Sequence, residues 1–374
     1  MAASPPPLII GAGPTGLAAA LFLAERGIRA RIVDAAGTPT STSKALGVNP
    51  RTLALLDQTG VTARIVAEGM AMRRFTFEQR GRPLVSFELD FAAMGAAHPM
   101  TILPQARTEA LLTDALEARG VSVERGVALT GLTQDDANVT CDLSHSKGAT
   151  ERVVAPVVLG ADGAHSMVRD ALGLGFPGSA QPEDWSLIDV ELEGPDPFNG
   201  PWGDFQAEGP IIALPFDAKV WRLIGFGGDL LARLPHSWRA GEVTWRSQFH
   251  VSHRMVETMA VGRVCLAGDA AHIHSPIGAR GMNLGVEDAY VFAACATDAL
   301  AGDLSRLEAY GRIRRAVDAA VVKRIETLTN AVRARSGWMA MARSLVMPLV
   351  GRVPAIRYAI ARQVTGLDHP VVTA

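Results

Sequence analysis

The sequence predicts a mixed α/β fold (α+β overall) with three parts: a Rossmann-like nucleotide-binding domain, a β-sheet domain inserted into it, and C-terminal helices. Hydrophobic periodicity predicts a strand at 8–10, a helix at 14–26 and a strand at 29–34, which together form a βαβ unit. At 75–99 and 181–261, helical periodicity gives way to β-type runs between Gly, Pro and Asp clusters. From Ser305 onward the pattern is helical.

These patterns also predict the domain boundaries. The nucleotide-binding domain takes residues 1–74, 100–180 and 262–310, and the inserted domain takes 75–99 and 181–261. Residues 311–374 form a C-terminal helical region. A chain of 374 residues with 48% hydrophobic content is long enough for this two-domain organisation and its interior.

Composition excludes several classes of protein. A net charge of -2, from 36 basic and 38 acidic residues, gives no reason to expect nucleic acid as a partner. Three widely spaced cysteines indicate neither a disulfide framework nor a metal cluster. No apolar run is long enough for a membrane span, and the apolar N-terminus lacks the basic start of a secretion signal. We therefore expect a cytoplasmic protein without stable membrane insertion.

The first of three nucleotide-binding motifs opens the βαβ unit. Glycines at this spacing allow a tight turn and let the backbone approach a pyrophosphate, while the helix N-terminus supplies partial positive charge. Asp34 ends the second strand, where a carboxylate can bind the adenosine ribose. The predicted turn comprises Gly11, Gly13, Pro14, Thr15 and Gly16.

Two further motifs follow in the order that a flavin nucleotide requires. Asp162 follows an apolar strand at 157–159, and Arg169 is spaced to reach back toward a phosphate. A third strand, at 264–267, runs into Asp269 and then into a glycine-rich turn that opens a long helix. An aspartate at a strand end can hold a ribityl hydroxyl, and a helix N-terminus can stabilise negative charge on the flavin pyrimidine edge.

Five segments together resemble the single-component FAD-dependent aromatic hydroxylases, the family of para-hydroxybenzoate hydroxylase and phenol hydroxylase. They are GAGPTG, SKALGVNPRTLALLDQTGV, PQARTEALL, GADGAHSMVR and GDAAHIHSPIGARGMNLGVEDA. The resemblance covers about residues 8–310, with the inserted domain matching loosely. It implies a para-hydroxybenzoate hydroxylase-like fold with an FAD-binding domain, an inserted substrate domain and C-terminal helices that pack on the FAD-binding domain. Pro348 and Pro354 are expected to break those helices.

The resemblance also implies which residues bind the cofactor. Gln105 and Arg107 would contact the FAD phosphates and ribityl chain, and Leu129 would meet adenine through its backbone. Residues 276–282 would border the isoalloxazine ring. The full implied set is Gly11, Gly13, Pro14, Thr15, Gly16, Asp34, Lys44, Gln105, Arg107, Leu129, Asp162, Arg169, Gly268, Asp269, Pro276, Gly278, Gly281, Met282 and Asn283.

Some of these positions have a further implied role or depart from the family pattern. Asp162 and Arg169 belong to a motif that serves both FAD and NADPH. Lys44 stands where many relatives have arginine, so the charge is kept but the planar fork is lost. Arg280 stands where phenol-type relatives commonly have glutamine. At the turn that should face the flavin, its charge is expected to favour the anionic reduced ring.

The activity that the resemblance implies is hydroxylation of an aromatic or other electron-rich small molecule. NADPH or NADH would reduce FAD, O2 would add at flavin C4a, and the hydroperoxide would deliver one oxygen atom to the substrate. We expect a monomer or homodimer. Two alternatives stay open: a flavin-dependent dehydrogenase or reductase on the same scaffold, and a flavin-binding partner protein without turnover. The sequence lacks the Trp-x-Trp-x-Ile-Pro stretch of flavin-dependent halogenases.

The candidate catalytic residues are His253, Pro276 and Arg280. All three tyrosines follow the third motif, so a tyrosine of the inserted domain cannot activate a phenol, and His253 is the first candidate proton acceptor. His272 and His274 lie two apart without a nearby cysteine or carboxylate cluster, so no metal site is predicted. The five tryptophans of the inserted domain line either an aromatic pocket or the core.

Overall fold

The computed structural model describes residues 5–41, 45–276, 278–333 and 337–373. Within these residues the strands are β1 (Leu8–Ile10), β2 (Arg31–Asp34), β3 (Gly47–Val48), β4 (Met70–Met72), β5 (Arg74–Gln79), β6 (Arg82–Glu88), β7 (Met100–Ile102), β8 (Val123–Arg125), β9 (Val127–Gln134), β10 (Val139–His145), β11 (Thr150–Ala155), β12 (Val158–Gly160), β13 (Gly178–Glu193), β14 (Trp202–Phe205), β15 (Pro210–Pro215), β16 (Val220–Gly225), β17 (Arg239–Met255), β18 (Ala260–Val261), β19 (Val264–Leu266) and β20 (His272–Ile273). The helices are α1 (Pro14–Ala24), α2 (Pro50–Leu56), α3 (Val61–Glu68), α4 (Gln105–Glu117), α5 (Met167–Ala171), α6 (Gly281–Leu300), α7 (Ser305–Arg333), α8 (Gly337–Arg352) and α9 (Pro354–Thr365).

A six-stranded sheet in the order β18-β19-β12-β1-β2-β8 organises the nucleotide-binding part. Four of its five strand pairings are parallel, and the edge pairing of β18 with β19 is antiparallel. The strands after which the three motifs follow, β1, β12 and β19, are neighbours in this sheet and are buried throughout. Because parallel strands end at the same edge, the three motifs meet at one edge of the sheet.

An eight-stranded sheet in the order β20-β17-β13-β16-β15-β14-β5-β6 forms the inserted part. Its strands come from residues 74–88, 178–255 and 272–273. Sequence analysis did not place the last of these in the sheet. β20 pairs antiparallel with β17 through Arg254 opposite Ile273 and Met255 opposite His272, so the third motif supplies the edge strand of the inserted sheet.

The two faces of this sheet carry different aromatic clusters. On one face Trp202, Trp221 and Trp238 pack together, with ring centroids 5.0 and 5.8 Å from Trp238, as part of a closed core. On the other face Trp185 is fully buried against Phe226, with centroids 4.9 Å apart. This second cluster also includes the partly buried Trp245 and Phe249. Trp185, Trp202 and Trp221 are therefore core residues, whereas the partly buried Trp238 and Trp245 pack against the two clusters.

The C-terminal helices correct two expectations. Pro348 lies inside α8 and does not break it, whereas Pro354 begins α9. α8 packs on the inserted sheet, where Gln79 of β5 donates to the Ser344 hydroxyl at 2.9 Å, whereas packing on the FAD-binding domain was expected. α9 does reach that domain, because Arg280 donates to the Gln363 carbonyl at 3.0 Å.

The same helices expose several large hydrophobic side chains. Along α8, Trp338, Met341, Leu345 and Leu349 are exposed. Among the described residues, no single helix is long and apolar enough to cross a membrane. The helical segments 341–352 and 354–365, which are joined at a bend of 99°, reach that length and apolar composition only together.

Candidate active site

The turn between β1 and α1 is shaped so that only glycine fits it. Gly11 has a φ of +103°, and a Cβ there would overlap the Ala161 carbonyl oxygen of the second motif. A Cβ at Gly16 would overlap the carbonyl oxygen of Gly11. At Gly13, the N-cap of α1, a Cβ would meet no atom within 4 Å, and no side chain caps the helix. This open helix N-terminus fits a phosphate group.

Asp34 fixes this turn from the end of β2. Its carboxylate accepts hydrogen bonds from the Ala12 N–H at 2.6 Å and from the Ala36 N–H at 2.8 Å. The side chain is half-buried beside the glycine turn. The contact of Asp34 with the adenosine ribose stays a prediction, and the place of its carboxylate beside the glycine turn suits that contact.

The first and third motifs meet at Thr15. A Cβ at Gly268 would lie 2.5 Å from the Thr15 hydroxyl oxygen, and a Cβ at Gly285 in α6 would overlap that oxygen. Sequence analysis had placed Gly285 in the motif without giving it a role. Asp269, next to this junction on the 3-10 turn Gly268–Ala270, is exposed, as a ligand for a bound ribityl chain must be.

The second motif is held by internal contacts. Asp162 accepts hydrogen bonds from the Ser166 hydroxyl at 2.6 Å and the Val168 N–H at 3.1 Å, and burial raises the pKa of its carboxyl. Arg169 is buried and donates to the Ala270 carbonyl at 3.3 Å. The Arg169 contact fastens the second motif to the third, and the predicted contacts of both residues with the cofactors stay a prediction.

The remaining predicted FAD ligands lie in different settings. Gln105 accepts from the Ala45 N–H at 3.1 Å, beside the 47–48 strand. Arg107 forms an ion pair with Glu68, at 2.6 Å, and its side chain is 42% exposed, so its charge is held at the surface. Leu129 is buried in β9, and Lys44 lies outside the described residues.

Asn283 joins the predicted ring-binding turn to the loop that follows residue 45. Its amide nitrogen donates to the carbonyls of Gly47 at 2.8 Å and Ala279 at 2.7 Å, and its amide oxygen accepts from the Asn49 N–H at 2.9 Å. Within the turn, Gly278 has a φ of +87° and Ala279 a φ of +51°. Pro276, Gly281 and Met282 are half-buried around it. The turn is therefore held in one shape by a single buried side chain.

Arg280 does not supply an unpaired cation at this turn, which corrects the sequence expectation. Its side chain is buried, and the guanidinium lies 3.4 Å from Asp368 and 3.7 Å from Glu287. His369 binds the same Glu287 at 2.7 Å. Arg280 therefore anchors the C-terminal segment, and two carboxylates compensate its charge.

A second buried network lies behind the third motif and had no signal in the sequence analysis. His272 contacts Asp288 at 2.8 Å and Asp318 at 3.6 Å, and Arg314 bonds both carboxylates at 2.7 and 2.6 Å. Burial acts to lower the pKa of His272, but the two carboxylates outweigh it and raise the pKa to about 9. His272 and the two carboxylates converge closely enough for a metal ion, yet Arg314 and the protonated His272 together already balance the charges of Asp288 and Asp318. We interpret the cluster as an internal ion-pair network.

His253 occupies the aromatic face of the inserted sheet, next to the third motif. It is only 4% exposed, and neither ring nitrogen has a hydrogen-bond partner within the described residues. Burial lowers the pKa of its imidazole, so the ring is neutral at physiological pH. Such a group can accept a proton.

Comparison with known proteins adds independent findings. A family described as "FAD binding domain" matches residues 6–207 and 233–325. The chain is 35% identical over 352 residues to 6-methylpretetramide 4-monooxygenase of Streptomyces rimosus, covering 89% of this chain and 63% of that protein. It is 30% identical to pentachlorophenol 4-monooxygenase of Sphingobium chlorophenolicum, covering 76% of this chain and 56% of that protein. The chain thus spans about three fifths of the length of these relatives.

The fold has a close counterpart among solved structures. The crystal structure of p-nitrophenol 4-monooxygenase from Pseudomonas putida DLL-E4 matches with a TM-score of 0.87 over 98% of this chain and 99% of that chain, at 22% identity. The predicted fold class is confirmed.

Proposed function

Since this chain belongs to the FAD-binding flavin monooxygenase family, we propose that it is an FAD-dependent monooxygenase that uses NADPH or NADH and O2 to hydroxylate a phenolic or similarly electron-rich aromatic compound. One observation carries the proposal. The third cofactor motif continues into β20, the edge strand of the inserted sheet, so one short segment contributes to the cofactor turn and to the aromatic sheet face. A ring bound at the turn would lie beside that face.

The residues present fit FAD along its length. The open N-terminus of α1 suits the pyrophosphate, Asp34 suits the adenosine ribose, and Asp269 suits the ribityl chain. The turn stapled by Asn283 would border the ring. Bound FAD supplies the chemistry that accepts a hydride and activates O2.

The protein itself orients the aromatic substrate and excludes water from the reaction site. Trp185, Phe226 and Val251 form a buried wall on the sheet face that continues to His253. Such a wall orients a flat aromatic ring by stacking and excludes water from it. His253, with its unpartnered ring nitrogens, would hydrogen-bond the hydroxyl group of a phenol on this face, and loss of the hydroxyl proton to an imidazole makes the phenol ring more electron-rich. The name of the relative from Sphingobium chlorophenolicum gives a phenol as its substrate, which supports this substrate class.

The decisive experiment is a screen of phenols and heteroaromatic compounds against the FAD-loaded protein. We expect some compound to stimulate NADPH or NADH oxidation and O2 uptake, and to gain one oxygen atom in the product mass. Labelled O2 identifies the source of that atom.

The outcomes separate the alternatives. NADPH oxidation that leaves the compound without added oxygen indicates a dehydrogenase or reductase. FAD binding with no stimulated oxidation by any compound indicates a protein without turnover. Either result contradicts the proposal.

A further inference from the structure

His253 of β17 and His274, which follows β20, come close together where these two strands pair. In the pairing of β17 with β20, Arg254 lies opposite Ile273 and Met255 opposite His272. The next position in that register sets His253 opposite His274. Residues opposite each other in antiparallel strands point to the same side of the sheet, with Cβ atoms about 5 Å apart. β20 itself ends at Ile273, so the position of His274 continues this register beyond the strand. His253 contributes to the lowered pKa of His274, which agrees with the two imidazoles lying near each other.

Both rings keep free nitrogen atoms in the interior. Neither nitrogen of His253 has a partner within the described residues, and Nε2 of His274 is also buried without one. His274 Nδ1 lies 2.8 Å from the Ser275 carbonyl oxygen, which can only accept, so Nδ1 carries the proton. Nε2 of His274 is consequently a bare acceptor. Buried polar atoms in proteins are nearly always satisfied, so each of these nitrogens is expected to bind a water molecule or a ligand group.

The pair bridges the cofactor turn and the aromatic sheet face. A Cβ at Gly281, the first residue of α6, would lie 3.8 Å from Cε1 and 4.0 Å from Nε2 of His274, so no side chain separates this ring from the turn. His253 continues the sheet face that carries Val251 and Phe249. A flat substrate beside the flavin turn would meet both imidazoles.

We propose that His253 and His274 together form the binding site for the hydroxyl group of a phenolic substrate, with the bare Nε2 of His274 as acceptor of the hydroxyl hydrogen and the N–H of His253 as donor to the hydroxyl oxygen. The proposal rests on the proposed function, keeps its phenolic substrate class, and adds His274 as the residue that accepts the hydroxyl hydrogen. The charged groups acting on the pair are Glu326 and Arg333 of α7 toward His253, and His272 and Arg280 toward His274.

The test measures binding without turnover. The FAD-loaded protein is titrated, in the absence of NADPH, with 4-nitrophenol and with its methyl ether 4-nitroanisole, and binding is followed by calorimetry. The titration is carried out at a pH well below the pKa of 4-nitrophenol, so that its hydroxyl stays protonated. The two probes then share a ring, and only the phenol can donate a hydrogen bond. We expect the wild-type protein to prefer the phenol at least tenfold. His274→Leu and His253→Phe should each lose most of that preference, while His274→Gln, which keeps an acceptor near Nε2, should retain part of it.

A matched control lies on the same strand. His250 of β17 is exposed on the opposite face and contacts Asp184, so His250→Phe should keep the wild-type preference. FAD content and the unfolding midpoint of each variant report its folding. If a variant fails to fold, nitrogen NMR of histidine-labelled wild-type protein replaces it: the free ring nitrogens should shift with 4-nitrophenol and not with 4-nitroanisole.

Three results overturn the proposal. These are equal affinity of the wild-type protein for the two probes, no binding of either probe, and full phenol preference in a folded His253→Phe/His274→Leu double variant. Each can occur while FAD binding and substrate-stimulated NADPH oxidation are intact, so failure of this proposal is distinct from failure of the proposed function.

Discussion

Asp288 accepts a hydrogen bond from the backbone N–H of Gly268 at 2.9 Å. The same carboxylate oxygen contacts His272 at 2.8 Å, and the other oxygen binds Arg314 at 2.7 Å. A side chain of α6 thus holds the turn that carries Asp269, and a residue of α7 holds that side chain. The shape of the cofactor turn therefore depends on residues that would never touch FAD.

This network predicts a loss of stability at alkaline pH. The pKa of His272 is about 9 in the folded protein against 6.5 in the unfolded chain, so its contribution is complete below pH 6.5 and disappears as pH rises through 9. The shift corresponds to about 3 kcal/mol at most. Urea unfolding from pH 6 to 10 should show wild-type stability approaching that of His272→Gln as pH rises. A constant difference between the two proteins would contradict this assignment.

Gly285→Ala should weaken FAD binding by forcing α6 away from Thr15. Overpacking of this kind costs about 1–3 kcal/mol, so the FAD dissociation constant should rise about tenfold or more. Fluorescence titration of the apoprotein with FAD measures it. Thr15→Ala should partly rescue the variant because it removes the overlapping hydroxyl, and Gly175→Ala, whose Cβ would meet only Pro177 at 3.9 Å, is the control. Unchanged affinity in Gly285→Ala would show that the junction is not part of the cofactor site.

Asp269→Ala should also weaken FAD binding, because it removes an acceptor for a ribityl hydroxyl. The loss of one charge-assisted hydrogen bond is worth about 1.5–3 kcal/mol, or roughly tenfold to a hundredfold in affinity. Asp136→Ala, a change of another exposed aspartate, is the control. A well-folded Asp269→Ala protein that keeps wild-type affinity would refute the role of Asp269.

Arg280→Met should destabilise the protein more than it changes the flavin potential. Removal of the guanidinium takes one buried partner from Glu287 and Asp368, which both keep His369. Glu287 also keeps Arg314 and Asp368 keeps Arg324, so the cost should be at most the lower end of the range for a broken buried pair, about 3 kcal/mol. Because these carboxylates already compensate the cation, the midpoint potential of bound FAD should move by less than about 30 mV, or 1.4 kcal/mol for two electrons. Adding Glu287→Gln should restore part of the stability. A large fall in the midpoint potential at unchanged stability would contradict this prediction and show that Arg280 acts on the flavin.

Local sequence patterns predicted the elements that depend on local physics. The strand at 8–10, the glycine turn and the helix that starts at Pro14 follow from buried apolar residues and from backbone shapes that only glycine adopts. The sequence could not predict the partners of Arg280 or of Arg314. Asp368 lies 88 residues after Arg280, and Asp288 lies 26 residues before Arg314, so only the tertiary fold brings these charges together. β20 was missed for a similar reason, since two residues carry no periodicity.

The contacts of Gly16, Gly268 and Gly285 bear on how this protein can change. At each position a single added methyl group would overlap or crowd a neighbouring atom. Nearly every substitution there, random or designed, should therefore disturb the nucleotide turns. The wall around Trp185, Phe226 and Val251 is made of ordinary apolar side chains, which tolerate exchange for others of similar volume. A library that aims at new substrates should therefore vary the inserted sheet and leave the nucleotide turns untouched.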